Sequence, residues 1–322
     1  MIASPQSGDF GIARTPSRPP GSSHWLRLPT VVVVLTALAV GNIGHAGATT
    51  HASTTASANP FADLSLPEIA VTIMNGAFAN VPDRLTAGRY VLSVTNAFHD
   101  SAEETSGAAL LRLPDDIGAN EFIVSVRDDE GNWPPDWYFA TSLAGGAYAP
   151  PGATAYAVID LTAGNWMLWS EEPGAPQAPV PITVTGEFPA NPPAPVADAT
   201  VELSEFDIAF SAPFRVGQQI IKVVNSGEQP HFLFIGGVPE GTTVPDAQAA
   251  FDAFSDPESA PAAFSFAESP ELLGTGDQSA STTAWYAIDL PAGTFVVACF
   301  LTDPETGEPH AMLGMTEIVR IG

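Results

Sequence analysis

Short apolar runs alternate along the chain with clusters of Gly, Pro, Asn and Asp, which is the pattern of many short strands joined by turns. "QQIIKVVN" (218–225) and "GTFVVACF" (293–300) are rich in β-branched and aromatic residues and are flanked by turn formers. Side chains alternate along a strand, so Phe295, Val297 and Cys299 share one face and Val296, Ala298 and Phe300 the other. Both faces are apolar, which predicts a strand covered on both sides. One stretch switches to a helical period. In "VPDAQAAFDAF" (244–254), Val244, Ala247, Phe251 and Phe254 recur at i, i+3, i+7 and i+10, with Pro245 in the first turn, where its missing N–H is tolerated. No equally clear helix shows in the matching part of the first half.

The pattern repeats at an offset of 129 residues. "AGRYVLSVTN" (87–96) matches "VGQQIIKVVN" (216–225), and "IDLTAGNWMLWS" (159–170) matches "IDLPAGTFVVAC" (288–299). Gly88 pairs with Gly217, Asn96 with Asn225 and Gly164 with Gly293. One offset across two separated blocks argues for a domain written twice. "EFPANPPAPVADAT" (187–200) reads as a stiff Pro/Ala-rich connection. The expected organisation is a first domain over 61–188, a linker over 189–198 and a second domain over 199–322. With about seven short strands per half, the expected fold is all-β: two tandem Greek-key β-sandwiches, with a short helix in the second.

Residues 1–48 read as a signal peptide. Arg14, Arg18 and Arg27 give it a positive n-region, residues 28–41 are its apolar stretch, and Ala46 and Ala48 frame a small-residue cleavage site. Residues 49–60 read as a flexible tether. The expectation is a secreted, periplasmic or cell-surface protein with no stable membrane insertion after cleavage near Ala48; an uncleaved N-terminal anchor is the alternative. Asp and Glu number 36 against 10 Lys and Arg, a net charge of −26. That repels nucleic acid and anionic membranes and fits a cationic partner, bound cations or simply a solubilising surface.

Against this exported background, a single cysteine, Cys299, stands out, since it has no partner for a disulfide. His231 follows the turn "NSGEQPH", while His310 and Met315 follow Cys299 at H-x4-M spacing. Two imidazoles, a thiolate and a thioether suit a mononuclear copper that cycles between Cu(I) and Cu(II), with His, His and Cys in a plane and Met weakly axial. Each residue alone has a plainer reading: Cys299 as a small buried hydrophobe, Met312 and Met315 as packing, His231 as a turn residue. "VVNSGEQPH" and the C-terminal Cys…His-x4-Met element together resemble the cupredoxin superfamily of type 1 blue copper proteins, such as plastocyanin and halocyanin. The resemblance covers the second domain, and the first in fold only. It implies a copper held by His231, Cys299, His310 and Met315, one per chain, and electron transfer rather than enzymatic catalysis.

One feature departs from the family. Ten residues, "FLTDPETGEP", separate Cys299 from His310, where family members have far fewer. "DPETG" carries turn chemistry, so a small hairpin is expected to return His310 to Cys299, although Pro309 removes one backbone donor. Met312 is a second thioether candidate. The first half serves as an internal control: at the same offset His231 maps to Ala102, Cys299 to Ser170, His310 to Pro181 and Met315 to Gly186, so no ligand is retained. His99 reads as a loop histidine there. Trp133, Trp137, Trp166 and Trp169 read as core packing or, alternatively, as a ligand platform. After residue 48 the histidines are His51, His99, His231 and His310, too few for the multinuclear cluster of a multicopper oxidase. Two alternatives to electron transfer stay open: a metal-free secreted binding or adhesion protein, and a Cu(I) carrier using Cys299, Met312 and Met315.

Overall fold

Alternation decides what each strand buries. In the strand Gly217–Asn225, Gln219, Ile221, Val223 and Asn225 are buried and their neighbours are half-buried or exposed, so one face meets the core. In the strand Gly293–Ala298 every side chain from Thr294 onward is buried, as both-sided apolarity predicts. Phe295, Val297 and Cys299 enter the main core with Ile221, Val223 and Met315. Val296 and Ala298 face the other way, under Ala247, Ala250 and Phe251 of the helix Val244–Ser255.

The computed structural model describes residues 58–74, 76–97, 105–127, 136–170, 178–255, 259–265 and 271–322. The leader expected at 1–48, nearly all of the tether, His51, His99, Ala102 and Trp133 lie outside these residues. The first half contains β1 (Glu68–Met74), β2 (Ala77–Ala79), β3 (Arg84–Thr86), β4 (Gly88–Asn96), β5 (Ser106–Arg112) and α1 (Ala119–Arg127). A 3-10 turn at Asp136–Ala140 leads to β6 (Ser142–Ala149), β7 (Thr154–Leu161), β8 (Gly164–Trp169) and β9 (Val180–Thr185). The second half contains β10 (Ala199–Ser204), β11 (Asp207–Phe210), β12 (Gly217–Asn225), β13 (Phe234–Val238) and α2 (Val244–Ser255). It ends with β14 (Glu271–Gly274), β15 (Thr283–Leu290), β16 (Gly293–Ala298) and β17 (Thr316–Ile321).

Three sheets result, with orders β11-β10-β12-β15-β7-β4-β1-β2, β14-β13-β16-β17 and β3-β9-β8-β5-β6. The four strands β7-β4-β1-β2 face the five-stranded sheet, and β11-β10-β12-β15 face the four-stranded one, giving two all-β sandwiches. The sandwiches share a sheet because β15 pairs with β7 through Trp285 opposite Val158 and Tyr286 opposite Ala157. The sequence pattern does not announce this junction. Its outer face buries Phe61, Val91, Val158 and Trp285, and the Arg89 guanidinium lies 4.5 Å from the Trp285 ring while bonding Asp160.

The offset of 129 holds for β4 and β12, β7 and β15, and β8 and β16, whose first residues are Gly88 and Gly217, Thr154 and Thr283, and Gly164 and Gly293. Its chemical core is an asparagine. Asn96 N donates to Ala153 O and its Nδ2 to Ala149 O, while its own carbonyl accepts from Gly152 N. Asn225 repeats every bond at the same offset, with Thr282 O, Gln278 O and Ser281 N. Two expectations are corrected. The first half does have a helix in the matching place, α1, whose Phe122 is fully buried against Leu111 and Trp169. The offset also fails after β8: Gly164 pairs with Val184 but its equivalent Gly293 with Ile321, so the connection after Cys299 is eight residues longer than its counterpart. Aligned on that register, Met315 faces Ala178 rather than Gly186, and the partner of His310 falls at 173, outside the described residues. Trp166 is buried in the main core and Trp169 in a second cluster against which Trp137 packs, so these three are core.

Candidate metal centre

Cys299 and Met315 adjoin strands directly, while His231 and His310 sit in the connections that follow β12 and β16. His231 follows β12 through a turn that Asn225 organises: its Oδ1 accepts Gly227 N–H, and its Nδ2 donates to Gln229 O and Gln278 O. Cys299 is the first residue after β16, and Met315 the last before β17. Between them the hairpin expected from "DPETG" forms. Asp303 N donates to Glu308 O, Gly307 N to Asp303 O, His310 N to Leu301 O and Ala311 N to Cys299 O. Gly307, at φ +77, closes the turn in a conformation that glycine adopts without strain. Asp303 Oδ2 accepts from both Thr306 N and Thr306 Oγ1. The missing N–H of Pro309 falls at the bridge with Thr302, between the Asp303–Glu308 and Leu301–His310 bonds, so the ladder survives it.

The hairpin therefore returns His310 to Cys299. His231 Nδ1 lies 3.0 Å from His310 Nδ1, and Cys299 Sγ lies 3.9 and 3.6 Å from those two nitrogens. The point equidistant from the three atoms is about 2 Å from each, the bond length of first-row metals to imidazole nitrogen and close to that for thiolate sulfur. His231, Cys299 and His310 are all buried, and theirs is the one cluster of three or more His, Cys, Asp or Glu with ligand spacing among the described residues. Met315 is also buried, in the core cluster that holds Cys299; its N–H donates to His310 O and its carbonyl accepts from Cys299 N. Met312 packs on the opposite side of the sheet with Phe251 and Ala298, which separates the two thioether candidates.

Proton positions support a cation between these atoms. Gln229 Nε2 donates to Asp303 Oδ1, which leaves Gln229 Oε1 to accept from His310 Nε2, 3.0 Å away. The His310 proton thus sits on Nε2, and its Nδ1 lone pair points into the cluster. The facing His231 Nδ1 must then carry a proton, or a cation must lie between the two lone pairs. With a proton there, His231 Nε2 is a buried nitrogen with no hydrogen-bond partner, and the nearest carboxylate oxygen, Glu205 Oε1, is 3.6 Å away. With a cation there, Nε2 carries the proton and faces that carboxylate. The second arrangement satisfies the site better.

Electrostatics agree. Burial pushes the His310 imidazole down to about 4, with neighbouring His231 adding to the shift. Burial also lowers His231, against the pull of Glu205. Both rings are neutral at pH 7 and free to ligate. Burial pushes the Cys299 thiol up to about 12, although backbone N–H groups of Phe232 and Leu301 bond its sulfur. A thiol so placed is inert as a nucleophile and ionises only for a metal. Burial also raises Glu205, but backbone N–H groups of Gln229 and Glu228 and the nearby His231 outweigh it, and the net direction is down. Sequence reasoning missed Gln229, Asp303 and Glu205 as supports. Gln229 was open to notice, since it sits between the Asn-x-Gly turn and the Pro-His ligand; Asp303 and Glu205 carry no local signal.

No protein-family model and no curated protein matches the chain. Solved structures that resemble it include reduced auracyanin from the photosynthetic bacterium Roseiflexus castenholzii, at 16% identity over 38% of this chain and 94% of that one, with a TM-score of 0.25. Auracyanin A, a "blue" copper protein from Chloroflexus aurantiacus, is 17% identical over 37% of this chain and 98% of that one, with a TM-score of 0.26. A multicopper oxidase from Campylobacter jejuni is 11% identical over 80% of this chain and 64% of that one, with a TM-score of 0.22. The donor set, two imidazoles and a thiolate around one buried point, is that of a mononuclear copper centre. All-β sandwiches with a buried His–Cys–His cluster at the end of one of them make the chain cupredoxin-like.

Proposed function

We propose that the protein is an exported electron carrier with one mononuclear copper in its second sandwich. The observation that carries this reading is the buried triangle of His231 Nδ1, His310 Nδ1 and Cys299 Sγ, whose centre lies at metal-bonding distance from all three. Copper bound there would supply a one-electron Cu(I)/Cu(II) couple. The chain's own part is to keep the site the same in both oxidation states. Backbone bonds fix every ligand residue: His231 to Gln278, Cys299 to Met315 and Ala311, His310 to Leu301 and Met315. Side chains that cannot shift between redox states keep the reorganisation small. Met315 would offer a thioether as a further, weaker donor to copper bound there, and the N–H donors on the Cys299 sulfur would tune the electron density of that ligand.

The acidic balance favours a cationic redox partner. The sequence of residues 1–48 supports export. A carrier is favoured over an oxidase because a multinuclear cluster takes further histidines, and the whole chain has six. A redox titration of copper-loaded protein, followed optically in an electrochemical cell, tests the proposal. It is expected to give one reversible one-electron wave per chain. Stoichiometric copper with no reversible wave would overturn electron transfer and leave the Cu(I) carrier.

A further inference from the structure

The metal cluster lies in the second sandwich, yet one wall of it is held from the first. Residues 275–279 run between the two. On one side they grip the ligand strand: His231 N donates to Gln278 O and Gln278 N to His231 O, at 3.0 and 2.8 Å. Asn225 Nδ2 bonds Gln278 O as well, and Leu233 and Thr275 exchange two bonds through Thr275 Oγ1 and the backbone. On the other side the same residues are held by the first sandwich. Gly145 N donates to Asp277 O, and Ser279 N to Leu143 O. Ser279 Oγ accepts from Leu143 N and donates to Thr141 O. Tyr138 donates its hydroxyl proton to the buried Asp277 carboxylate. The contact is too close for side chains at its centre: a Cβ on Gly276 would lie 2.5 Å from Gly146 N. Tyr138, Thr275, Asp277 and Gln278 are all buried.

We propose that the first sandwich acts as a positioning clamp for His231, with Tyr138 and Ser279 as its principal contacts. Edge groups of residues 275–279 that would otherwise turn to water are bonded to β6 and the preceding turn, so the backbone that sets His231 has one register. This gives the copper-free half of the chain a task at the metal centre. It rests on the copper reading for its functional meaning, and on the backbone bonds alone for its mechanics.

The test uses the full chain with Tyr138→Phe, which removes one hydroxyl and keeps the ring, and separately Ser279→Ala. In metal-free protein, amide exchange at His231 and Gln278 is expected to quicken about tenfold in each variant, while Val297 in β16 exchanges at the wild-type rate. In copper-loaded protein, affinity is expected to fall about tenfold and the EPR spectrum to change at unchanged stoichiometry, the usual effect of loosening a ligand's support. Wild-type exchange at His231 in both variants overturns the clamp. So do wild-type spectrum and affinity in variants that load copper. A wild-type chain that takes up no copper overturns the proposed function instead, and the exchange rates then judge the clamp by themselves.

Discussion

Loading the site should release one proton per metal ion, and the source of that proton is readable from the structure. Both imidazoles are already neutral at pH 7, since burial lowers His231 and holds His310 near 4. The thiol is not ionised, because burial raises Cys299 to about 12. Forming the thiolate at pH 7 therefore costs about 7 kcal/mol, which metal bonding must offset, and lowers the apparent affinity by about 10⁵. Apparent affinity should then rise about tenfold per pH unit from pH 7 to 9, with one proton released throughout. Cu(I) supplied anaerobically avoids thiol oxidation. Competition against a chelator of known pH dependence gives the slope, and an indicator dye in weak buffer counts the protons. Cys299→Ser should flatten the slope. A slope near two would mean that an imidazole is charged in the metal-free site, and a slope near zero that Cys299 is no ligand; either result refutes the reasoning.

Three further outcomes follow from other parts of the fold. Burial raises the Asp277 carboxyl from 3.8 to about 6. Its contribution to stability is full below about pH 4, where the unfolded chain is protonated too, and is lost as pH rises to and through about 6, where the folded carboxyl ionises. Relative to Asp277→Asn, wild type should lose up to about 3 kcal/mol between pH 4 and 7 in denaturant titrations, and a pH-independent difference contradicts this. Asp303→Ala removes the acceptor for Thr306 and Gln229, so copper affinity should fall about tenfold in chelator competition; unchanged affinity would show that the hairpin needs no such tie. Phe251→Ala, across the sheet from Cys299, should cost about 3–5 kcal/mol of stability and leave the copper spectrum unchanged, because only the outer cluster loses volume.

Much of the site was legible in the sequence because Cys299 closes an alternating strand and His231 and His310 follow turns, where alternation and turn residues mark position well. The two faces of β16 were readable from "FVVACF", and the return of His310 from "DPETG". The failures have physical causes. α1 went unread although Ala119, Phe122 and Ile123 keep helical spacing, because its flanks lack the Pro-led first turn that marks α2. Met315 was set against Gly186 by the simple offset, which the longer connection after Cys299 breaks where no strand holds it. The junction of the two sandwiches was invisible because β7 and β15 pair at only two positions, and nothing in an apolar run such as "AYAVIDL" names its neighbour. Supports such as Gln229 and Asp303 act across 74 residues, a separation that local pattern does not register.

Visible absorption with EPR on the Cu(II)-loaded chain decides whether His231, Cys299 and His310 hold one copper ion. One copper per chain is expected, with an intense visible band from thiolate-to-copper charge transfer that Cys299→Ser loses. Failure to bind stoichiometric copper, or a spectrum that Cys299→Ser leaves unchanged, would contradict that.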